Sequence, residues 1–222
     1  MRILGIDTST RYLSLGCWDG LKVYEYNLEL GTRHSSLLAP TIKRVAQALG
    51  WGISEIDYFA CGLGPGSFTG IRVGMAAIKG LGWALRKPLI GIASLDILAM
   101  NAASAEGLIV PVVDAKRNLI YCSIYKAKGG SIKRIAPYML LRCKDLLKKI
   151  KPGSMMLGDA IALYKEDILN AARGVIILDK DCWYPKGRNI IKLALESIKA
   201  KKITSAFEIK PIYLYPKECQ VR

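Results

Sequence analysis

Hydrophobic positions change period several times along the chain, and each change predicts an element. "RILGID" (residues 2–7) is a short, nearly unbroken apolar run and predicts a buried strand. "YLSLGCWDGLKVYEYNLEL" alternates, with Leu13, Leu15 and Cys17 on one face. It predicts a hairpin with Asp19-Gly20 as a two-residue turn. "HSSLLAPTIKRVAQALG" moves to helical spacing: Leu38, Ile42, Val45, Ala46 and Leu49 form one stripe. Gly50 ends it, and Pro40 either fits the first turn or kinks the helix. "IDYFACGLG" predicts a strand. "GIRVGMAAIKGLGWALR" predicts a helix apolar on nearly all sides, hence a buried one. "KPLIGIAS" then predicts a strand and "LDILAMNAA" a helix.

The pattern then restarts. When Asp7 is aligned with Asp114, an apolar strand precedes each aspartate, "ILGID" and "VPVVD". Four turn residues and an alternating strand follow, so that Leu13, Leu15 and Cys17 fall on Ile120, Cys122 and Ile124. One structural unit used twice gives this pattern, and so does chance similarity of two β-hairpins. Beyond it, "SMMLGD", "AIALYKEDILNAA", "GVIILD" and "NIIKLALESIKAKK" alternate strand and helix. The sum is an α/β protein of two related lobes, residues 1–105 and 106–222. The boundary is expected near Ala105–Leu108, and the C-terminal helix is free to pack back on the first lobe.

Composition narrows the class. The chain has 222 residues, 51% of them hydrophobic, enough for one large or two small cores. Met1-Arg2 leads straight into a strand, so no signal peptide is expected. The longest apolar stretch, Ile71 to Leu85, is broken by Arg72 and Lys79 and is too short to span a membrane. Six scattered cysteines without a CxxC pair, and one histidine, argue against zinc and for reduced thiols in the cytoplasm. Net charge is +15 and uneven: residues 116–222 hold 23 Lys/Arg against 9 Asp/Glu. A solvated lysine-rich surface and a footprint for a polyanion such as RNA both fit this excess.

The segment "GLGPGSFTGIRVG" (62–74) looks like a phosphate loop but is spelled differently. Ile71 stands where a P-loop has lysine, and Gly64, Gly66 and Gly70 are one residue too long for a dinucleotide fingerprint. Ser67 or Thr69 can cap the following helix. Gly70 and Gly74 make one row of small residues, and Ala76, Gly80 and Ala84 another. Such rows let a second helix approach closely, within the domain or from a partner.

The repeated strand–Asp–turn–hairpin unit resembles the actin, hexokinase and Hsp70-ATPase superfamily, whose fold is ribonuclease H-like. "ILGIDTST", "HSSLLAPTI", "GLGPGSFTGIRVGMAAIKGLGWALRKPLIGIASLDILA" and "VDAKRNLIYCSIY" are similar to the TsaB (YeaZ-type) family of bacterial tRNA threonylcarbamoyladenosine synthesis. The tail "PIYLYP" resembles that family's closing P-x-Y-L-R, with Tyr215 in place of arginine.

The resemblance implies a non-catalytic scaffold paired with a TsaD-like transferase. That relative holds its metal through an H-x-x-x-H pair, which here falls on Ser94 and Leu98, so no metal ligands and no catalytic residues are expected. The implied partner face is the two helices bearing His34, Leu38, Ile42, Val45, Gly70, Arg72, Gly74, Ala77, Gly80 and Leu81. Asp7, Thr8, Ser9, Asp114 and Lys116 would form a degenerate nucleotide site, although Asp7 and Asp114 can equally bond the amides of their own turns. "LGDAIALY" is a weak candidate for the adenosine loop. The resemblance further implies no cofactor on this chain alone, with an ATP-derived threonylcarbamoyl-adenylate used by the complex. Other implied partners are a TsaE-like P-loop ATPase, tRNA through the complex and a homodimer, with no membrane. His34, the lone histidine, has no orienting third residue for serine-hydrolase chemistry and is expected to cap its helix or line the interface. An independent ATP-binding kinase-like enzyme and a free-standing tRNA-binding module are the competing readings.

Overall fold

The computed structural model describes residues 1–171 and 173–216, and Cys219 lies outside them. The chain divides into two compact units. The first is Met1–Ile97 with Pro185–Ile212; the second is Leu98–Tyr184 with the described residues from Tyr213 on. The division falls inside a helix, Ser94–Ala99, and so earlier than the expected Ala105–Leu108.

In the first unit, β1 (Ile3–Asp7) pairs antiparallel with β2 (Tyr12–Trp18), and β2 with β3 (Val23–Glu29). On its other side β1 pairs parallel with β4 (Tyr58–Gly62), and β4 with β5 (Leu89–Ile92). The order is β3-β2-β1-β4-β5. Alternation along β1 divides its side chains between two cores. Leu4 and Ile6 join Leu13, Leu15, Phe59 and Cys61 under α1 (His34–Ala48) and α2 (Phe68–Ala84), which bring Leu38, Ile42, Ala46, Met75 and Ile78. Ile3 joins Ala60, Ile90 and Ile92 against Ile190, Ile191 and Ala194 of a late helix, Gly187–Lys199. That helix approaches β2 so closely that a methyl group on Gly16 would overlap the Gly187 carbonyl.

The second unit repeats the plan. It contains β6 (Gly107–Lys116), β7 (Leu119–Cys122), β8 (Tyr125–Lys128), β9 (Ser131–Arg134), β10 (Met139–Leu141), β11 (Met155–Leu157) and β12 (Ile176–Ile177). The order β10-β7-β6-β11-β12 has the same parallel and antiparallel sense, with β8 and β9 added beside β6. The helices of this unit are α4 (Cys143–Leu147) and α5 (Ile161–Ala171). The helix at the division is α3 (Ser94–Ala99), and the late helix is α6 (Gly187–Lys199).

Several expectations are corrected. The first hairpin turns through four residues, 19–22, not two. The Asp19 carboxylate accepts hydrogen bonds from Leu21 N and Lys22 N, both 2.7 Å, and this local capture of two amides favours the wider loop. Pro40 lies inside α1, beyond its first turn. Ile124 belongs to no strand: the alternating run breaks at Ser123–Ile124 because β6 pairs with β7 at one end and with β8 at the other. The two turns also differ by one residue, since Asp7 pairs with Ser14 whereas Asp114 pairs with Ile120.

α2 is not buried all round. Arg72, Ala76, Gly80, Trp83 and Ala84 are exposed, Trp83 at 68%. One sheet covers one side of a helix, and an apolar sequence alone does not supply a second cover. The basic excess also redistributes. Lys186, Arg188, Lys192, Lys199, Lys201, Lys202 and Lys210 follow α6 into the first unit, so the charge does not mark a separate basic lobe.

Candidate functional site

The turn after β1 is filled by its own chain. Asp7 is 1% exposed. Its Oδ1 accepts from Ser9 N at 2.8 Å and Ser9 Oγ at 2.6 Å, and its Oδ2 accepts from Ser94 Oγ at 2.6 Å. Ser94 Oγ in turn accepts from Gly64 N at 3.0 Å, and Ser94 N donates to Gly64 O at 2.8 Å. Burial, the largest cause, pushes the Asp7 carboxyl above the usual carboxylate range. The hydrogen bonds from Ser9 and Ser94 act against it.

The glycine-rich segment seals this turn from outside. Ser67 N donates to Ser9 O at 2.7 Å, and Thr8 Oγ1 donates to Gly70 O at 2.7 Å. A methyl group on Gly70 would overlap Thr8 O, and one on Gly74 would overlap Thr8 Oγ1. This row of small residues therefore serves a close approach within the unit. Ser67 is the N-cap of α2, accepting from Gly70 N at 3.2 Å. Both ends of the loop are thus engaged with neighbouring backbone.

In the second unit, Asp114 Oδ1 accepts from Lys116 N at 2.8 Å, and its Oδ2 pairs with Lys116 Nζ at 2.5 Å. That ion pair holds the lysine above its ordinary value. Lys116, Arg117 and Asn118 are all left-handed, φ +64°, +52° and +57°, which makes a tight hairpin. Asp159, in "LGDAIALY", accepts from Asp114 N at 2.9 Å, and burial raises its carboxyl. Tyr215 donates to Ala115 O at 2.9 Å and meets Tyr121 edge to face, with centroids 6.2 Å apart. Asp7, Thr8 and Ser9 are thus brought together in one unit, and Asp114, Lys116 and Asp159 in the other.

The metal-pair positions do not fit a metal. The Ser94 hydroxyl is committed to Asp7, and Leu98 is fully buried hydrocarbon. Among the described residues no three His, Cys, Asp or Glu side chains cluster as metal ligands.

The ten residues on the two expected partner helices fall into three groups. His34, Leu38, Ile42, Gly70 and Gly74 are buried; Val45, Ala77 and Leu81 are half-buried; Arg72 and Gly80 are exposed. Arg72 lies over the Phe68 ring at 3.6 Å. His34 makes no capping hydrogen bond, and its Nε2 has no partner among the described residues. Nothing lies within 4 Å of a methyl placed on Gly80, so the Ala76–Gly80–Ala84 row, with Trp83 beside it, is bare. The reading of the sequence missed Trp83, although its spacing of three from Gly80 puts it on that face. It also missed the link from Ser94 to Asp7, which no spacing reveals.

A sheet of order 3-2-1-4-5 occurring twice, each opened by a strand with an aspartate at or near its end, defines a duplicated α/β protein of the actin, hexokinase and Hsp70-ATPase class. Residues 29–180 match the family "TsaD: tRNA N6-adenosine threonylcarbamoyltransferase". The "tRNA threonylcarbamoyladenosine biosynthesis protein TsaB" of Bacillus subtilis (strain 168) is 31% identical over 176 residues, 76% of this chain and 77% of that one. The protein of the same name from Escherichia coli (strain K12) is 23% identical, over 96% and 94% of the two chains. The solved structure "YeaZ from Pseudomonas aeruginosa" superposes with a TM-score of 0.84 at 22% identity, covering 96% of this chain and all of that one. The chain belongs to the TsaB (YeaZ-type) branch of this family. No helix of the described residues is long and apolar enough to cross a membrane.

Proposed function

We propose that this chain is a non-catalytic subunit in the formation of threonylcarbamoyladenosine on tRNA, acting in the cytoplasm. It pairs with a TsaD-like transferase through the outer side of α1 and α2. The observation that carries this reading is the fate of the metal-pair positions: Ser94 is spent on a buried aspartate and Leu98 on the core. The chain then holds no cofactor of its own, and the threonylcarbamoyl-adenylate is used by the complex, with a TsaE-like ATPase as third member. The relatives' names support the pathway. The bare row on α2 supports the partner face, because an exposed Trp83 beside small residues suits a closely packed helix.

The test is assembly. Mixed with the transferase from the same source, the chain should co-elute in size exclusion, and the isolated chain should neither hydrolyse ATP nor modify tRNA. Gly80→Leu and Trp83→Ala should each weaken the complex while leaving the fold intact, since neither site is packed internally. Undiminished affinity in both variants would remove α2 from the interface. Robust turnover by the isolated chain would remove the scaffold reading altogether.

A further inference from the structure

The chain leaving α6 is locked into a turn that presents bare hydrocarbon. Leu89 of β5 and Thr204 exchange two backbone hydrogen bonds, both 2.8 Å, in antiparallel sense. Ser205 Oγ donates to Glu208 Oε2 at 2.9 Å and Ser205 N to the same oxygen at 3.3 Å, while Lys79 Nζ donates to Ile209 O at 3.4 Å. Ala206 and Ile209 are buried in the core under α1 and α2. Between them Phe207 is 78% exposed, and Ile203, just before the bridge, is 47% exposed. A turn anchored at both ends holds these two side chains in water, and neither has a polar tip to compensate.

Cations surround this hydrocarbon. Lys199, Lys201, Lys202 and Lys210 are all exposed. Glu208, the one acidic residue from 199 to 210, is turned back onto Ser205. The antiparallel bridge runs the chain before Leu89 alongside the chain after Thr204. That puts the exposed Arg86 and the half-buried Lys87 on the Phe207 side. Lys87 N donates to Gly82 O and Lys202 N to Ser197 O, both 2.8 Å, so each basic stretch is tied to the end of a helix.

We propose that this edge of the first unit is a peripheral contact for an anionic lipid surface, with Phe207 and Ile203 entering the headgroup layer and the surrounding lysines meeting lipid phosphates. A small apolar insertion and a polybasic rim are the two signals that reversible attachment requires. Two features favour a lipid surface over RNA or an acidic protein. The cations of 199–210 are lysines only, flexible point charges suited to a fluid array of phosphates, whereas a fixed phosphate or carboxylate is better met by the arginine fork. Their long stems also run along an apolar boundary while the ammonium groups stay in water. The second feature is shape: Phe207 stands out on a turn and is not set in a groove, where bases stack, or in the packed centre of a protein interface. The family resemblance implies no membrane partner, and no helix of the described residues is long and apolar enough to cross one; a contact lying on the surface needs no such helix.

Cosedimentation of the full chain with phosphatidylcholine vesicles carrying about 30 mol% phosphatidylglycerol should show saturable binding at about 0.1 M salt, falling about tenfold at about 0.5 M. Vesicles of phosphatidylcholine alone should bind little. Phe207→Ser removes a side chain that is already exposed, so the melting temperature should stay while vesicle binding weakens about fivefold. Phe207→Trp should retain binding, because tryptophan favours the interfacial layer. Lys201→Glu with Lys202→Glu should abolish it. Lys148→Glu with Lys149→Glu, the same change in net charge on the second unit, should not. Single-stranded RNA of about 20 nucleotides should bind, if at all, without regard to Phe207. The proposal is overturned by absence of binding to the anionic vesicles, by binding indifferent to Phe207→Ser, by equal loss in the two lysine pairs, or by RNA binding that needs Phe207 more than vesicle binding does.

Discussion

Ser94 Oγ donates a 2.6 Å hydrogen bond to Asp7 Oδ2, across 87 residues of sequence, and accepts from Gly64 N on its other side. A helix start that in the transferase relatives is expected to carry a metal ligand is here tied to a buried carboxylate. The link joins β1, the β4–α2 loop and α3, and it explains why a serine is useful at this position.

Ser94→Ala should therefore destabilise the fold by about 1–3 kcal/mol, because it leaves both Asp7 Oδ2 and Gly64 N without a partner in the interior. Urea unfolding of the variant measures this directly. A cost below about 0.5 kcal/mol, the scale of an ordinary surface substitution, would mean that the network is dispensable.

Asp7 also predicts a pH dependence. Its folded pKa lies above the ordinary aspartate value because of burial. Such a carboxyl stabilises the fold below its unfolded pKa, and that contribution is lost as pH rises through the folded value. Wild type should lose stability relative to Asp7→Asn between acid and neutral pH. Unfolding free energies of both proteins at several pH values from 4 to 7 should diverge in that direction; a constant difference contradicts it.

Alanine at the glycines of α2 should act with opposite signs. Gly80→Ala meets open space and should stabilise by roughly 0.5–1 kcal/mol through helix propensity. Gly70→Ala and Gly74→Ala strike Thr8 and should destabilise by about 1–3 kcal/mol. Thermal melts of the three variants decide this, and a uniform sign would refute the packing assigned to the loop.

Thiol reactivity should follow burial. Burial pushes Cys17, Cys61 and Cys122 up to about 12 and Cys143 to about 11, so none presents thiolate near neutral pH. Of the cysteines among the described residues, the partly exposed Cys182 should be alkylated first in the native protein at pH 8. The other four should react on unfolding, as peptide mapping will show.

If the assembled complex lays tRNA on the lysines of the second unit, Lys148, Lys149 and Lys151 reversed together to glutamate should weaken tRNA binding without disturbing assembly. The salt dependence should lose about 0.9 in slope per duplex phosphate contact removed. Reversal of Lys199, Lys201 and Lys202, which belong to the first unit, is the matched comparison. Unchanged affinity in both variants at low salt assigns the lysines to solubility.

The sequence by itself determined the elements and their duplication. An unbroken apolar run marks β1, period-two and period-3.6 patterns mark β2, α1 and α2, and the Asp7/Asp114 alignment exposes a repeat that the sheet orders confirm. These signals are local, since each depends on residues within one strand or one turn of helix. Only the tertiary structure decided which apolar face finds a cover. α2 reads as buried all round, yet its Ala76–Gly80–Ala84 side is bare, because burial requires a second element and a sequence does not say where that element lies. The same reason hid the use of Gly70 and Gly74 against Thr8, the return of α6 with its lysines to the first unit, and the bond between Ser94 and Asp7. Each of these is a contact between residues far apart in the chain, set by how strands order in a sheet and not by any spacing along it.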